Sequence, residues 1–120
     1  MEKVQCNGTN VDLLIQGGHF LVAAPKIVYI ESNAHRVLFH ILDNAGELRE
    51  YYIYDSLNHV QEEIEHLGFI RVHQSYLINK SYIKNAYRYR VELTNGLSLC
   101  ISKKYYKSVK DYYMQMLKEN

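Results

Sequence analysis

Asn95-Gly96 is the feature that most narrows the folds open to this chain. An Asn-Gly pair accepts the backbone torsions of a two-residue hairpin turn. On one side Tyr87, Tyr89, Val91 and Leu93 alternate with Arg88, Arg90 and Glu92; on the other Leu97, Leu99 and Ile101 continue the apolar face. That alternation is the signature of a half-buried strand. Gly17-Gly18 separates residues 11–16 from 19–24 in the same way, and Asp43-Asn44-Ala45-Gly46 separates residues 36–42 from 47–54. Strands joined by turns this short are antiparallel, since parallel neighbours need a long crossover. A doubly wound parallel sheet is disfavoured.

The remaining segments fill in the plan. Residues 26–31 read as a third strand, and 36–42 as a nearly continuous apolar strand buried on both faces. Asp55 has the chemistry to cap a helix in which Leu57, Val60, Ile64 and Leu67 recur at helical spacing, with Gly68 at its C-terminal stop. Lys84-Asn85-Ala86 reads as a kink. Ser102 can cap a second helix with Tyr105, Val109, Tyr112 and Met116 as its buried stripe. Residues 1–10 are polar and weakly patterned, a frayed lead-in or linker remnant. Residues 11–120 make one domain. The expected class is mostly β with two α-helices.

Residues 69–83 fit neither period throughout. Phe69, Ile70, Val72, Tyr76, Leu77, Ile78, Tyr82 and Ile83 can anchor the stretch, while Arg71, His73, Gln74, Ser75, Asn79, Lys80 and Ser81 are polar between them. It reads as a turning segment that presents polar groups outward, the kind of segment that carries function. His73-Gln74-Ser75 lacks an orienting acid or oxyanion element, so no catalytic residue is assigned and the chain is not read as an enzyme. Gln74 can bond adenine and Ser75 a phosphate. His73 and Asn79 read rather as groups that satisfy the turning backbone. The six histidines show no metal-ligand spacing, and no metal or cofactor is assigned. Twelve tyrosines could stack bases, but Tyr87, Tyr89, Tyr105 and Tyr112 fall at positions that read as core.

The net charge of +1 says little, whereas its distribution says more. Residues 1–70 carry four Lys or Arg against ten Asp or Glu, and residues 71–110 carry nine against one. Such a chain has a basic stretch available for a polyanion, unless its two halves neutralise each other across the fold. Ser102, Lys103 and Lys104 open a helix, where backbone N–H groups favour phosphate, and Lys107 and Lys110 follow. No run approaches the ~20 apolar residues of a membrane span, and no signal peptide opens the sequence. Cys6 and Cys100 read as reduced thiols of a cytoplasmic protein, with one long-range disulfide as the other option.

Phe69-Ile-Arg-Val-His-Gln-Ser-Tyr-Leu-Ile-Asn resembles the signature of the LytTR family of bacterial DNA-binding domains. Ile27-Val-Tyr-Ile-Glu-Ser resembles the family's early strand, Asn95-Gly-Leu-Ser-Leu-Cys-Ile-Ser its late hairpin, and Lys103-Lys-Tyr-Tyr-Lys-Ser-Val-Lys its final helix. The likeness covers residues 11–117 and implies an elongated, antiparallel multi-sheet fold that reads DNA from loops. His35 by itself reads as a solvated loop histidine or as a donor to a base edge; some family members place a base-contacting His at this position. The resemblance implies base contacts from His35, Gln74 and Lys104, and backbone contacts from Ser32, Asn33, Arg36, Ser75, Ser102, Lys103 and Lys107. The family often has Arg where Lys104 stands, and lysine lacks the planar fork. It implies double-stranded DNA as partner, paired direct repeats bound by two copies of a solution monomer, and no membrane. The chain would be the output domain of a two-component response regulator or a stand-alone regulator. A β-rich module binding protein or RNA through the same basic face is the competing class.

Overall fold

The computed structural model describes residues 2–119. β1 (Val4–Asn7), β2 (Asn10–Ile15) and β3 (Gly18–Ala23) form one sheet in that order. β4 (Ile27–Asn33), β5 (Arg36–Leu42), β6 (Leu48–Tyr54), β7 (Phe69–His73) and β8 (Tyr76–Asn79) form the central sheet, ordered β6-β5-β4-β8-β7. β9 (Ile83–Ala86), β10 (Arg90–Leu93) and β11 (Ser98–Cys100) form the third, ordered β11-β10-β9. Between β6 and β7 lies α1 (Leu57–Ile64), and α2 (Lys103–Glu119) follows β11. Every ladder is antiparallel, and the principal extents are 42 × 29 × 24 Å. The expected class, mostly β with two helices in an elongated set of antiparallel sheets, is the one observed.

The central sheet separates two cores. Ile30, Val37, Phe39, Ile41, Ile53 and Leu77 pack with Val4, Val11 and Leu13 of the first sheet and with Leu57, Val60 and Ile64 of α1. Tyr29, Val72 and Ile78 pack with Ile83, Val91, Leu93 and Leu99 of the third sheet and with Val109 of α2. β5 is buried on both faces, as its unbroken apolar run anticipates. A bulge between Ile27 and Tyr29 puts Val28 and Tyr29 in the same core, so strict alternation fails there.

Several expectations need correction. Residues 4–7 are no frayed lead-in: β1 pairs with β2 from Val4↔Leu13 to Asn7↔Asn10, and Val4 is fully buried. Ser56, not Asp55, caps α1, its side chain accepting from His59 N at 3.1 Å. The helix stops at Ile64 and a short 3₁₀ turn carries the chain to Gly68, whose φ of 105° suits a residue without Cβ. Residues 84–86 lie within β9, and the expected kink takes the form of a bulge at Lys84, which is left unpaired between Ile83↔Leu93 and Asn85↔Glu92. The strand expected from Tyr87 starts only at Arg90, because Tyr87 N donates to Arg90 O at 2.7 Å and closes a bend. Tyr87 and Tyr89 are therefore exposed, with the Arg90 and Arg88 guanidinium groups over their rings. In α2 the second core takes Tyr106, Val109, Tyr112 and Tyr113, while Tyr105 lies beside Arg71.

Burial of Val4 makes a specific demand on stability. Val4→Ala is expected to cost about 1.5–3 kcal/mol, seen as a lower urea midpoint at unchanged slope. A cost below about 0.5 kcal/mol, typical of a surface site, would return residues 4–7 to the lead-in.

Candidate nucleic-acid interface

Three chain reversals lie side by side at one end of the central sheet. The first is the β4–β5 turn, where Asn33 pairs with Arg36 and Ala34 takes a left-handed φ of 59°. The second is the β7–β8 turn around Gln74. The third is the start of α2. Backbone bonds tie them together: Ser32 N donates to Ser75 O at 3.0 Å, and Ser102 N to Val72 O at 2.9 Å.

Arg71 holds the middle turn from beneath. Its Nε donates to His73 O at 2.7 Å, and Nη2 donates to Gln74 O. Nη1 donates to Asn58 Oδ1 at 2.9 Å and Gln61 Oε1 at 2.8 Å, which ties the turn to α1. The residue is only 7% exposed, so it is not one of the outward cations that a count of charge over residues 71–110 makes it. Burial draws its pKa below the ordinary arginine value, and Tyr105 opposes that shift. The signal was present in the sequence: a charge among Phe69, Ile70 and Val72 needs internal partners to be buried.

His73 and Asn79 act on the backbone. His73 Nδ1 accepts from Ser75 N at 3.0 Å. Asn79 Nδ2 donates to Ile27 O at 2.9 Å and Ala24 O at 3.3 Å, while its oxygen accepts from Ser81 N and Oγ. Both therefore satisfy the turning segment, as the sequence analysis favoured.

Two grooves meet over Arg71. One, of about 460 Å³, is lined by Asn58, Arg71, His73, Gln74, Ser102, Lys104 and Tyr105. The other, of about 230 Å³, is lined by Ser32, Ala34, Asp55, Ser56, Leu57, Asn58, Arg71 and Gln74. Gln74, Ser102 and Lys104 thus converge on one groove, and Ser32 and Gln74 on its neighbour. Gln74, Lys103 and Lys104 are exposed, and Lys104 Nζ sits 5.3 Å from the Tyr105 ring centroid. His35 and Asn33 are exposed on the β4–β5 turn, outside the lining of both grooves. Ser75 is half-buried at the turn that Ser32 holds. Arg36 lies over the Tyr52 ring at 5.0 Å, and Lys107 pairs with Asp111 at 2.9 Å, so neither belongs to the groove floor. Asn58 and Tyr105 line the grooves without having been anticipated: Asn58 was given no role, and Tyr105 reads as core.

A β-rich scaffold that gathers loops and a lysine-bearing helix start on one side is a scaffold for gripping an extended anion. The model of the family described as the LytTr DNA-binding domain matches residues 17–114. The chain belongs to that family. The chain is 36% identical over 61 residues to the sensory transduction protein LytR of Staphylococcus saprophyticus, covering 47% of this chain and 24% of the relative. It is 33% identical over 66 residues to the transcriptional regulatory protein LytR of Staphylococcus aureus strain N315, covering 51% and 27%. The matched part is about a quarter of the length of these relatives. A solved LytTr DNA-binding domain from Bacillus cereus superposes with a TM-score of 0.64 at 22% identity, covering 92% of this chain and 98% of the other. At that identity the likeness is one of fold.

The Arg71 clamp can be tested by stability. Arg71→Met removes the donor from four acceptors and is expected to cost about 2–3 kcal/mol in urea unfolding. Arg71→Lys should recover less than half, for lack of a planar fork. A loss under about 0.5 kcal/mol from Arg71→Met would show that the turn stands without it.

Proposed function

We propose that this chain binds double-stranded DNA sequence-specifically as the DNA-reading part of a bacterial transcription regulator. His35, Gln74 and Lys104 contact base edges. Ser32, Asn33, Arg36, Ser75, Ser102, Lys103 and Lys107 contact the sugar–phosphate backbone. The observation that carries the proposal is the tie between three reversals through Ser32–Ser75 and Ser102–Val72, which sets Gln74 and Lys104 around one groove. Family membership and the name of the Staphylococcus aureus relative support the regulatory role. The chain serves as the output domain of a two-component response regulator or as a stand-alone regulator. It acts in the cytoplasm as a solution monomer, two copies of which occupy paired direct repeats.

The division of labour follows from reach. A base reader discriminates between sequences, whereas a phosphate contact holds any duplex. Lys107 is 88% exposed and already paired with Asp111, a contact of little strength, so it can exchange partners.

The experiment uses duplexes selected from a random pool, with scrambled duplexes and RNA as competitors, across a salt series. His35→Ala, Gln74→Ala and Lys104→Ala should each cost about 1–3 kcal/mol and relax preference at one position. Lys103→Ala should weaken selected and scrambled duplexes alike and make the slope of log affinity against log salt shallower by about one unit. If His35→Ala and Lys104→Ala weaken both duplexes equally, these side chains read no bases. Equal competition by RNA or random DNA would favour a general polyanion module instead.

A further inference from the structure

Glu2, His59 and Glu63 form a cluster beside α1 that lines neither groove, and only its neighbour Asp55 borders the smaller one. His59 Nδ1 lies 3.1 and 3.0 Å from the two carboxylate oxygens of Asp55. Asp55 is itself fixed, because its Oδ1 accepts from Ser56 N at 2.7 Å. An ionised carboxylate only accepts, so His59 Nδ1 carries a hydrogen. The other ring nitrogen, Nε2, faces Glu2 Oε2 at 3.3 Å and Glu63 Oε1 at 3.8 Å. In a neutral ring that nitrogen is a lone pair set against two more acceptors. Three carboxylates around one imidazole favour positive charge between Nε2 and the glutamates, as a proton or as a metal ion.

We propose that Glu2, His59 and Glu63 form a binding site for a divalent transition-metal ion of the zinc class, with Asp55 orienting the imidazole from behind. The three ligand atoms lie within 4.8 Å of one another. Metal–ligand bonds of about 2.0–2.2 Å in a tetrahedron place neighbouring donors about 3.4 Å apart, and the distances from Nε2 lie close to that value. A carboxylate holding the far nitrogen of a metal-bound histidine fixes its tautomer and raises its basicity. One imidazole and two carboxylates suit zinc-like ions, whereas magnesium prefers oxygen alone and keeps its water. His59 and Glu63 are one helical turn apart, so α1 presents both together. Their side chains are 33% and 37% exposed and Glu2 is 51% exposed, which leaves room for water ligands. Glu2 precedes β1, so the ion would fasten the first sheet to α1.

Glu31, His40 and Glu50 form a second group of the same composition on the central sheet. There His40 is buried, stacked on Tyr29 at 4.0 Å between centroids, and its Nε2 is 2.7 Å from Glu31. That is a direct hydrogen bond, shorter than the spacing of two donors on one tetrahedral ion, so this group serves as the internal control.

The test titrates Zn²⁺ into the purified protein by calorimetry in a non-coordinating buffer near neutral pH, and follows Tm in parallel. Saturable one-to-one binding and a rise in Tm are expected, with affinity about tenfold or more weaker in His59→Gln and in Glu63→Gln. His40→Gln should bind as the wild type does, and Mg²⁺ at the same concentration should not reproduce the rise in Tm. The Ser56 cap uses the backbone N of residue 59 and survives His59→Gln; should that variant still fail to fold, Glu63→Gln decides alone. Undiminished Zn²⁺ binding in Glu63→Gln, loss in His40→Gln only, or no saturable binding by the wild type would overturn the proposal.

Discussion

The pairing of β4 with β8 is the constraint on which the other contacts depend. Tyr29 lies opposite Ile78 and Ile30 opposite Leu77, and the two pairs face different cores. A slip of one residue would exchange the sets and bury the wrong face of both strands, so the register is strongly fixed. Asn79 pins one end by bonding Ala24 and Ile27 carbonyls from more than fifty residues away. At the other end the strands deliver Ser32 and Ser75 to one another. The candidate interface is thus the terminus of a ladder whose register is fixed by both cores, and its loops start from backbone that has little freedom.

Arg71 carries that order outward. All four of its acceptors are neutral, two backbone carbonyls and two side-chain amides. A buried guanidinium with neutral partners is solvated by the protein without being cancelled. Its charge therefore remains under the groove that Gln74 and Lys104 border, although its atoms face inward. Losing Arg71 as a direct phosphate contact does not remove its contribution to the local field.

What the sequence disclosed follows the range of the physics involved. Local signals served well. The Asn95-Gly96 turn, the apolar run of β5 and the spacing of Leu57, Val60 and Ile64 each depend on neighbours in sequence. β1 was hidden because Gln5 and Asn7 are polar and Val4 stands nearly alone; only its pairing with β2 makes it a strand. The α2 stripe was right at Val109 and Tyr112 and wrong at Tyr105 and Met116, where Tyr106 and Tyr113 pack instead, because a period cannot choose between adjacent tyrosines. The Tyr87 strand failed because the chain bends at Arg88 and Tyr89, where Tyr87 N turns back onto Arg90 O. At the interface, Gln74, Ser102 and Lys104 were nameable as polar groups at turns and a helix start. For Arg71 the apolar neighbours hinted at burial, but its partners were not nameable, since Asn58 and Gln61 reach it from α1 across thirteen and ten residues.

The charge asymmetry along the chain does not survive as two charged halves in space. The central sheet interleaves them: β4, β5 and β6 come from the acidic stretch, and most of the β7–β8 hairpin from the basic one. What differs is how the charges are engaged. Asp43 accepts from Arg49 Nε and from the backbone of Ala45 and Glu47, and the Arg49 bond, the largest of these effects, holds its pKa below the usual carboxylate range. Asp12 meets His19, Glu31 meets His40, and Asp55 meets His59 and Ser56 N. Asp43 and Asp55 thus accept from the backbone of the turn and helix start they belong to, and Asp12 and Glu31 hydrogen-bond histidines on neighbouring strands. Lys103 and Lys104 are exposed at the start of α2, beside backbone N–H groups whose dipoles add to their charge. A chain of net charge +1 can in this way present a positive helix start at one end, because local field depends on where charges sit and not on their sum.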